Sequence, residues 1–422
     1  MPATGYEFPT RFPSKRQGPA TPSDAKMMPM HRPLILDAAR TPFGRYRGGL
    51  SGVRVDDLAA LPITELLRRH RVDPARVDDV LYGNTNGAGE ENRNIGRMAA
   101  LLAGLPPTVP GVAVNRLCAS GGEAIVQAGR ALAMGDADLL VAGGVEGMTR
   151  APFVVPRAEK AFADRMESVS TALGWRLVNP RMRAEWTVPL GRAAEDVAVA
   201  LGITRAQMDM YALRSHRRAS AAWDAGVHEG FAFPVQLRDG SAVRRDESVR
   251  PETSLEKLGK LASAFSESGP VTAGNSSPIN DGATAVLMGT EQVAADLGIT
   301  PLGEVLGSAV TADEPHRFTL APVTAIRKLL SRLQISGTDV NLWEINEAFA
   351  AMALSVLHHL PEVDREKVNV HGGAIAYGHP LGASMPRVVV DLCRHLRARG
   401  GGLGIAAACV GVGQGMAIAV RV

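Results

Sequence analysis

Residues 110–135 read PGVAVNRLCASGGEAIVQAGRALAMG. The apolar run Val112–Val114 predicts a strand. It breaks at a glycine-rich turn carrying Cys118, and apolar residues then recur at helical spacing through Ile125, Ala128 and Leu132. A strand, a tight turn and a helix in direct succession aim one side chain and several free backbone N–H groups at the same spot. The flanking sequence keeps the alternation. RPLILDAAR (32–40), DDVLYGNTN (78–86) and DADLLVAGG (136–144) predict strands, and NIGRMAALLAG (94–104) predicts a helix. Residues 55–69 predict a helix with Asp56 and Asp57 in its first turn, where they favour the helix dipole, and with a bend at Pro62. The class is therefore α/β.

The same plan recurs downstream. TPLGEVLGSAV (300–310) is a strand and PVTAIRKLLSRL (322–333) a helix with Pro322 near its start. VNLWEINEAF (340–349) takes the place of DDVLYGNTN, GGAIAYGHPLGAS (372–384) the place of NRLCASGG, and GLGIAAACVGVG (402–413) the place of DADLLVAGGVEG. Asn84 and Asn346 are separated by nearly the same interval as Cys118 and His379, as two similar halves require. Cys118 and His379 thus fall at corresponding helix starts, one from each half, and a site at the interface is expected. Residues 151–269 break the alternation with mixed charge, Pro and Trp, and an insertion of that length in a compact domain is usually functional. The expected division is a tail over 1–30, an N-terminal half over 31–150 and 270–296, the insertion over 151–269, and a C-terminal half over 297–422.

Composition narrows the class further. The 422 residues carry 46 Lys and Arg against 43 Asp and Glu, a balance that demands no nucleic-acid partner. Glycine, at 45 residues, exceeds the usual share of about 7%, and the excess clusters around the cysteines and His379. Three cysteines make no disulfide framework, and a reducing, cytoplasmic setting fits best. Cys393, in VVVDLCRHLRARG, reads as a core residue. No apolar run reaches the ~18 residues of a membrane span. Residues 1–30, rich in Pro, Ser and Thr, read as a flexible tail or an artefact of start-codon choice.

The chemistry concentrates in three turns. Cys118 supplies a nucleophile once it is a thiolate. His379, in GHP, can take its proton. Cys409, between an apolar strand and Val-Gly-Val-Gly, can move a proton at a substrate carbon. GVGQG (411–415) lacks the strand-to-helix setting of a dinucleotide loop, VAGGVEG (141–147) lacks a phosphate-loop lysine, and His371 near His379 has no third ligand at metal spacing.

These turns, with GGVEGMTRAP (143–152), VTAGNSSPINDGA (271–283) and NEAFA (346–350), resemble the thiolase family in order and spacing from about Leu34 to Val420. RTPFGRYRGGLSGVRVDDLAA (40–60), AGEENRNIGRMA (88–99), TALGWRLVNP (171–180) and CVGVGQG (409–415) look most like its degradative branch, which includes 3-oxoadipyl-CoA thiolases. The resemblance implies a layered α-β-α-β-α sandwich with an inserted loop domain over the CoA substrate. It also implies ping-pong acyl transfer, with CoA as substrate and neither redox cofactor nor metal, in a homodimer or homotetramer. Cys118 would be acylated, His379 would act as its base, and Cys409 would be the acid/base at the α-carbon. One oxyanion site would use His379 and a water held by Asn346, and the other the N–H groups of Cys118 and Gly411. Glu347 would orient Asn346, and Ser277 would touch the pantetheine arm. A 3-ketoacyl synthase on the same fold and a non-catalytic CoA or lipid carrier are the rival readings.

Three departures from the pattern bear on substrate preference and rate. Met385 and Pro386 stand where the family keeps glycine and a small residue, in the expected first helical turn after His379. RFTLAPVTA (317–325) lacks a glycine before its proline. Val412 replaces another glycine, as in the degradative branch.

Overall fold

The computed structural model describes residues 31–162 and 164–422, so the expected tail over residues 1–30 lies outside the described residues. Each half of the chain contributes one end of a single long sheet. In the first half β1 (Leu34–Arg40), β2 (Asp79–Gly83), β3 (Gly111–Val114), β4 (Leu139–Gly147) and β5 (Asn280–Gly289) lie in the order β1-β5-β4-β2-β3. In the second half β6 (Gly303–Ala312), β7 (Leu342–Ile345), β8 (Leu403–Val410) and β9 (Gln414–Arg421) lie in the order β6-β9-β8-β7. The two orders correspond strand for strand. In each half an antiparallel pair (β1 with β5, β6 with β9) is followed by an antiparallel and then a parallel neighbour. Where β3 would recur, the described residues make a single bridge, Trp343 with Val368. The halves join edge to edge through β1 and β6, at Leu34 with Glu304 and Ile35 with Gly303.

Helices α1 (Val55–His70) and α2 (Ile95–Leu102) cover one outer face. Helices α3 (Ser120–Met134), α4 (Leu190–Ala200), α5 (Arg205–Asp224), α6 (Ala321–Leu333), α7 (Ala350–His359) and α8 (Leu381–Arg397) follow in chain order, and α6 covers the opposite outer face. Between the two wings of the sheet, α3 and α8 pack on each other and on strands of both halves, which makes the central layer of the α-β-α-β-α sandwich. Three apolar clusters fill the spaces between layers, and the middle one holds Ile125, Leu132, Met385, Val389 and Cys393. Strands with both faces covered read as near-continuous apolar runs. All nine residues of β4 and all ten of β5 are buried.

Local sequence explains the element ends. Helix α5 starts at a capping box between Thr204 and Gln207, and α2 at Asn94, whose side chain accepts from Arg97 N. Helix α1 continues through the buried Pro62 rather than ending there. Helix α3 begins at Ser120, one short 3₁₀ turn later than the sequence suggests, so Cys118 sits in the turn (Leu117–Ala119) rather than on the helix. The insertion contains α4, α5 and two short hairpins, Phe153–Val154 with Val169–Ser170 and Val235–Gln236 with Ala242–Val243.

Candidate active site

Cys118 is presented by a strained turn. Leu117 has φ +45°, a left-handed value that costs a branched residue of order 1–3 kcal/mol. The turn is held by Asn115, whose Oδ1 accepts from Leu117 N, and by Ser120, whose Oγ accepts from Arg116 N. Across from it, Cys409 lies near the end of β8, and the following hairpin turns at Gly411 and Val412. Gly411 N–H faces the Cys118 sulfur, and the Leu117 side chain would lie 3.0 Å from any Cβ at Gly411. Burial pushes the Cys118 thiol up to about 11, with opposition from that N–H and further upward pressure from Glu146. Burial and then the charge of Cys118 push the Cys409 thiol up as well, so the two sulfurs are electrostatic neighbours.

His379 is held in one tautomer. Its Nδ1 lies 2.6 Å from Ser384 Oγ, and that hydroxyl already donates to Pro380 O at 2.8 Å. Ser384 must therefore accept, so Nδ1 carries the proton and Nε2 presents a lone pair. Nε2 faces Asn346 Nδ2 at 3.3 Å. Burial and the nearby Arg387 charge push the imidazole down to about 3, so it rests neutral. Asn346 is fully buried, and its Oδ1 has no partner among the described residues.

The turn before His379 is built around Asn280, the first residue of β5. Its Oδ1 accepts from His379 N at 3.0 Å, and its Nδ2 donates to Gly44 O and Ser248 Oγ. Gly378, at φ +106°, leaves room for that carboxamide, which a Cβ would meet at 2.5 Å. Glu146, from GGVEG, accepts from Thr85 N and Gly382 N, tying the Cys118 half to the start of α8. Burial pushes its carboxyl up to about 7. Asn280, Ser384 and Glu146 lie inside the quoted motifs, yet no spacing argument singled them out. The roles of Asn280 and Glu146 depend on contacts between opposite halves, and that of Ser384 on the fold of the turn after His379.

Other expectations change. Glu347 does not orient the Asn346 side chain. Its carboxylate accepts from Ser215 Oγ, Asn369 Nδ2 and Ile375 N, and so braces the turn leading to His379. Helix α8 starts at Leu381, which puts Met385 and Pro386 in its second turn rather than its first. Met385 packs over Gly122, and Pro386 over Gly121, where a Cβ would lie 2.4 Å from the proline ring. Ser277 donates its N–H to Ala348 O, beside the Asn346–Ala350 segment. Cys393 is fully buried in the middle apolar cluster, and the His371 ring stacks on His395 at 4.4 Å.

Two thiols, a tautomer-locked imidazole and a buried amide at the junction of two like halves suit acyl transfer through a thioester. The thiolase N-terminal domain model matches residues 34–292 and the thiolase C-terminal domain model residues 299–422. The chain belongs to the thiolase family. It is 47% identical to the 3-oxoadipyl-CoA/3-oxo-5,6-dehydrosuberyl-CoA thiolase of Escherichia coli strain K12, over 88% of this chain and 94% of that one. It is 45% identical to the beta-ketoadipyl-CoA thiolase of Pseudomonas putida, over 92% and 98% of the two chains. The crystal structure of the Bacillus anthracis acetyl-CoA acetyltransferase superposes with a TM-score of 0.87 at 36% identity, covering 93% of this chain and 99% of that one. This thiolase is accordingly an acyltransferase that cleaves 3-oxoacyl-CoA to acetyl-CoA and a shortened acyl-CoA. Among the described residues no helix is long and apolar enough to cross a membrane.

Proposed function

We propose that this thiolase cleaves 3-oxoadipyl-CoA by a ping-pong route in which Cys118 carries the acyl group. Cys118 passes its proton to His379 Nε2 and attacks the 3-oxo carbon. The bond between C2 and C3 breaks, and Cys409 protonates the carbanion that leaves as acetyl-CoA. Free CoA then takes the succinyl group from Cys118. The alkoxide formed on attack is received by the N–H groups of Cys118 and Gly411. The thioester enolate is received by His379 and a water on Asn346, whose unpartnered Oδ1 suits such a water. Ser277 and the insertion over 151–269 hold the CoA, within the division into halves set out above. A homodimer or homotetramer in the cytoplasm completes the proposal.

The observation that carries it is the His379 tautomer. A serine that must accept at Nδ1 leaves Nε2 as the base, on the side where Asn346 lies. The substrate rests on relatives of 45–47% identity that bear this activity in their names. Mass spectrometry tests the mechanism. After incubation with acetyl-CoA, an acetyl adduct is expected on Cys118, removed by free CoA and absent in Cys118→Ala. An unmodified Cys118 would overturn it.

A further inference from the structure

One side chain of the first half grips the cysteine hairpin of the second. Arg116, two residues before Cys118, donates from Nη1 to Gln414 Oε1 at 3.1 Å. Gln414 opens β9 opposite Val410, and the next rung of that hairpin pairs Cys409 with Gly415. The bond therefore joins a residue beside one sulfur to a residue one rung from the other.

The guanidinium is aimed from its own half. Its Nε donates to Glu123 Oε2 at 2.8 Å, and Gln127 Nε2 donates to the other oxygen of that carboxylate at 3.2 Å. Glu123 and Gln127 lie on successive turns of α3, the helix that follows Cys118. A planar guanidinium held at Nε has a fixed direction for Nη1, so the bond to Gln414 is oriented as well as charge-assisted. The Cys118 turn has need of such a hold. Leu117 is in left-handed backbone, and strain of that kind persists only where the surroundings over-determine it. Asn115 and Ser120 bond the turn from within its own half, which fixes its shape but not its place against the Cys409 hairpin. Arg116 supplies a bond to the other half, close to where the Leu117 side chain lies against Gly411.

That placement bears on one reaction step and not on another. Acyl exchange forms the bond from Cys118 sulfur to the acyl carbon, breaks the CoA thioester and returns the Cys118 proton to the CoA thiolate through His379. Cleavage forms the bond from Cys118 sulfur to C3, breaks C2–C3 and moves a proton from Cys409 to C2. Cleavage alone needs both sulfurs at one substrate.

We propose that Arg116 and Gln414 are positioning residues that clamp the Cys118 turn to the Cys409 hairpin, and so set the spacing of the two sulfurs for carbon–carbon cleavage. The inference rests on the reading of Cys118 as the acyl carrier and Cys409 as the acid.

The test compares two reactions that pass through the same acetyl-Cys118: exchange of isotope-labelled CoA into acetyl-CoA, and thiolysis of acetoacetyl-CoA. The readout is the ratio of their kcat values in the wild type, Gln414→Leu, Arg116→Met and the double variant. Both rates come from one preparation, so the ratio does not depend on how much of a variant folds. Each single variant is expected to slow thiolysis about 10- to 100-fold, the cost of a small misplacement of reacting groups, while exchange stays within about 2-fold of the wild type. The double variant is expected to lose no more than the worse single one, as residues acting through one bond do. Gln414→Glu, which keeps an acceptor for Arg116, should retain thiolysis. Equal falls in both reactions, unchanged thiolysis, or additive losses in the double variant would each overturn the clamp. A wild type that exchanges no label overturns the Cys118 reading itself.

Discussion

Ser384 decides which tautomer His379 holds, and it does so through a single proton. Because its hydroxyl donates to Pro380 O, it can only accept from Nδ1. Ser384→Ala removes that acceptor and lets either tautomer form inside a buried pocket. The expected result is a kcat lower by roughly 10- to 100-fold, part of the ~10²–10⁴-fold that a positioned base typically contributes, with KM little changed. Ser384→Thr should restore most of the loss, which steady-state kinetics on acetoacetyl-CoA would show. Equal falls in Ala and Thr variants would point to packing instead. Cys118, His379 and Cys409 could be singled out in the chain because each stands in a glycine-rich turn with a matching motif. Ser384 and Asn280 could not, since nothing in GASMP or SPIND says which atom a hydroxyl or carboxamide will face.

At the scale of elements, the contact between α3 and α8 sets how closely the two halves' reactive turns approach. Gly121 lies 2.3 Å, at the position of an absent Cβ, from Gly382 O and 2.4 Å from the Pro386 ring. Glycine at that point lets backbone pack on backbone. Gly121→Ala gains at most ~1 kcal/mol of helix propensity, but it must push α8 away, at a cost of ~1–3 kcal/mol or more. A lower Tm is expected, together with a larger fractional loss of kcat than of folded protein. An unchanged Tm would show that the helices have slack. The repeat of strand, turn and helix was readable because the apolar periods alternate regularly. The crossing of α3 and α8 was not, because it pairs a proline in one half with a glycine in the other.

For the whole molecule, buried charge links the layers. Arg387 and Asp391 pair at 2.7 Å on α8, both almost fully buried, and His395 on the same helix reaches Glu344 of β7 at 3.3 Å. Arg387 with its neighbours His228, His395 and Arg40 outweighs burial and holds the Asp391 carboxyl down at about 2, below its ordinary 3.8. A depressed carboxyl contributes stability that is present above about pH 4 and lost as pH falls through about 2. Glu146, raised to about 7, has the opposite sign, and its contribution is present below its ordinary 4.5 and lost as pH rises through 7. Asp391→Asn is expected to cost about 3–5 kcal/mol at neutral pH, because Arg387 is left buried without its partner. The gap should narrow between pH 4 and pH 2. Glu146→Gln should flatten the decline in stability from pH 5 to pH 8. Thermal unfolding across pH checks both, and parallel pH profiles for the wild type and either variant would contradict the assignment. The chain by itself determined the α/β class and the two like halves, and it singled out the thiols and imidazole proposed to carry the chemistry, because these depend on local period and on motifs a few residues long. Only the tertiary structure decided that the Asn346 amide meets His379, which glycines must stay bare and that Glu146 of one half is bonded by the start of α8 in the other. Those follow from distances between residues far apart in the chain, which no local pattern of side chains encodes.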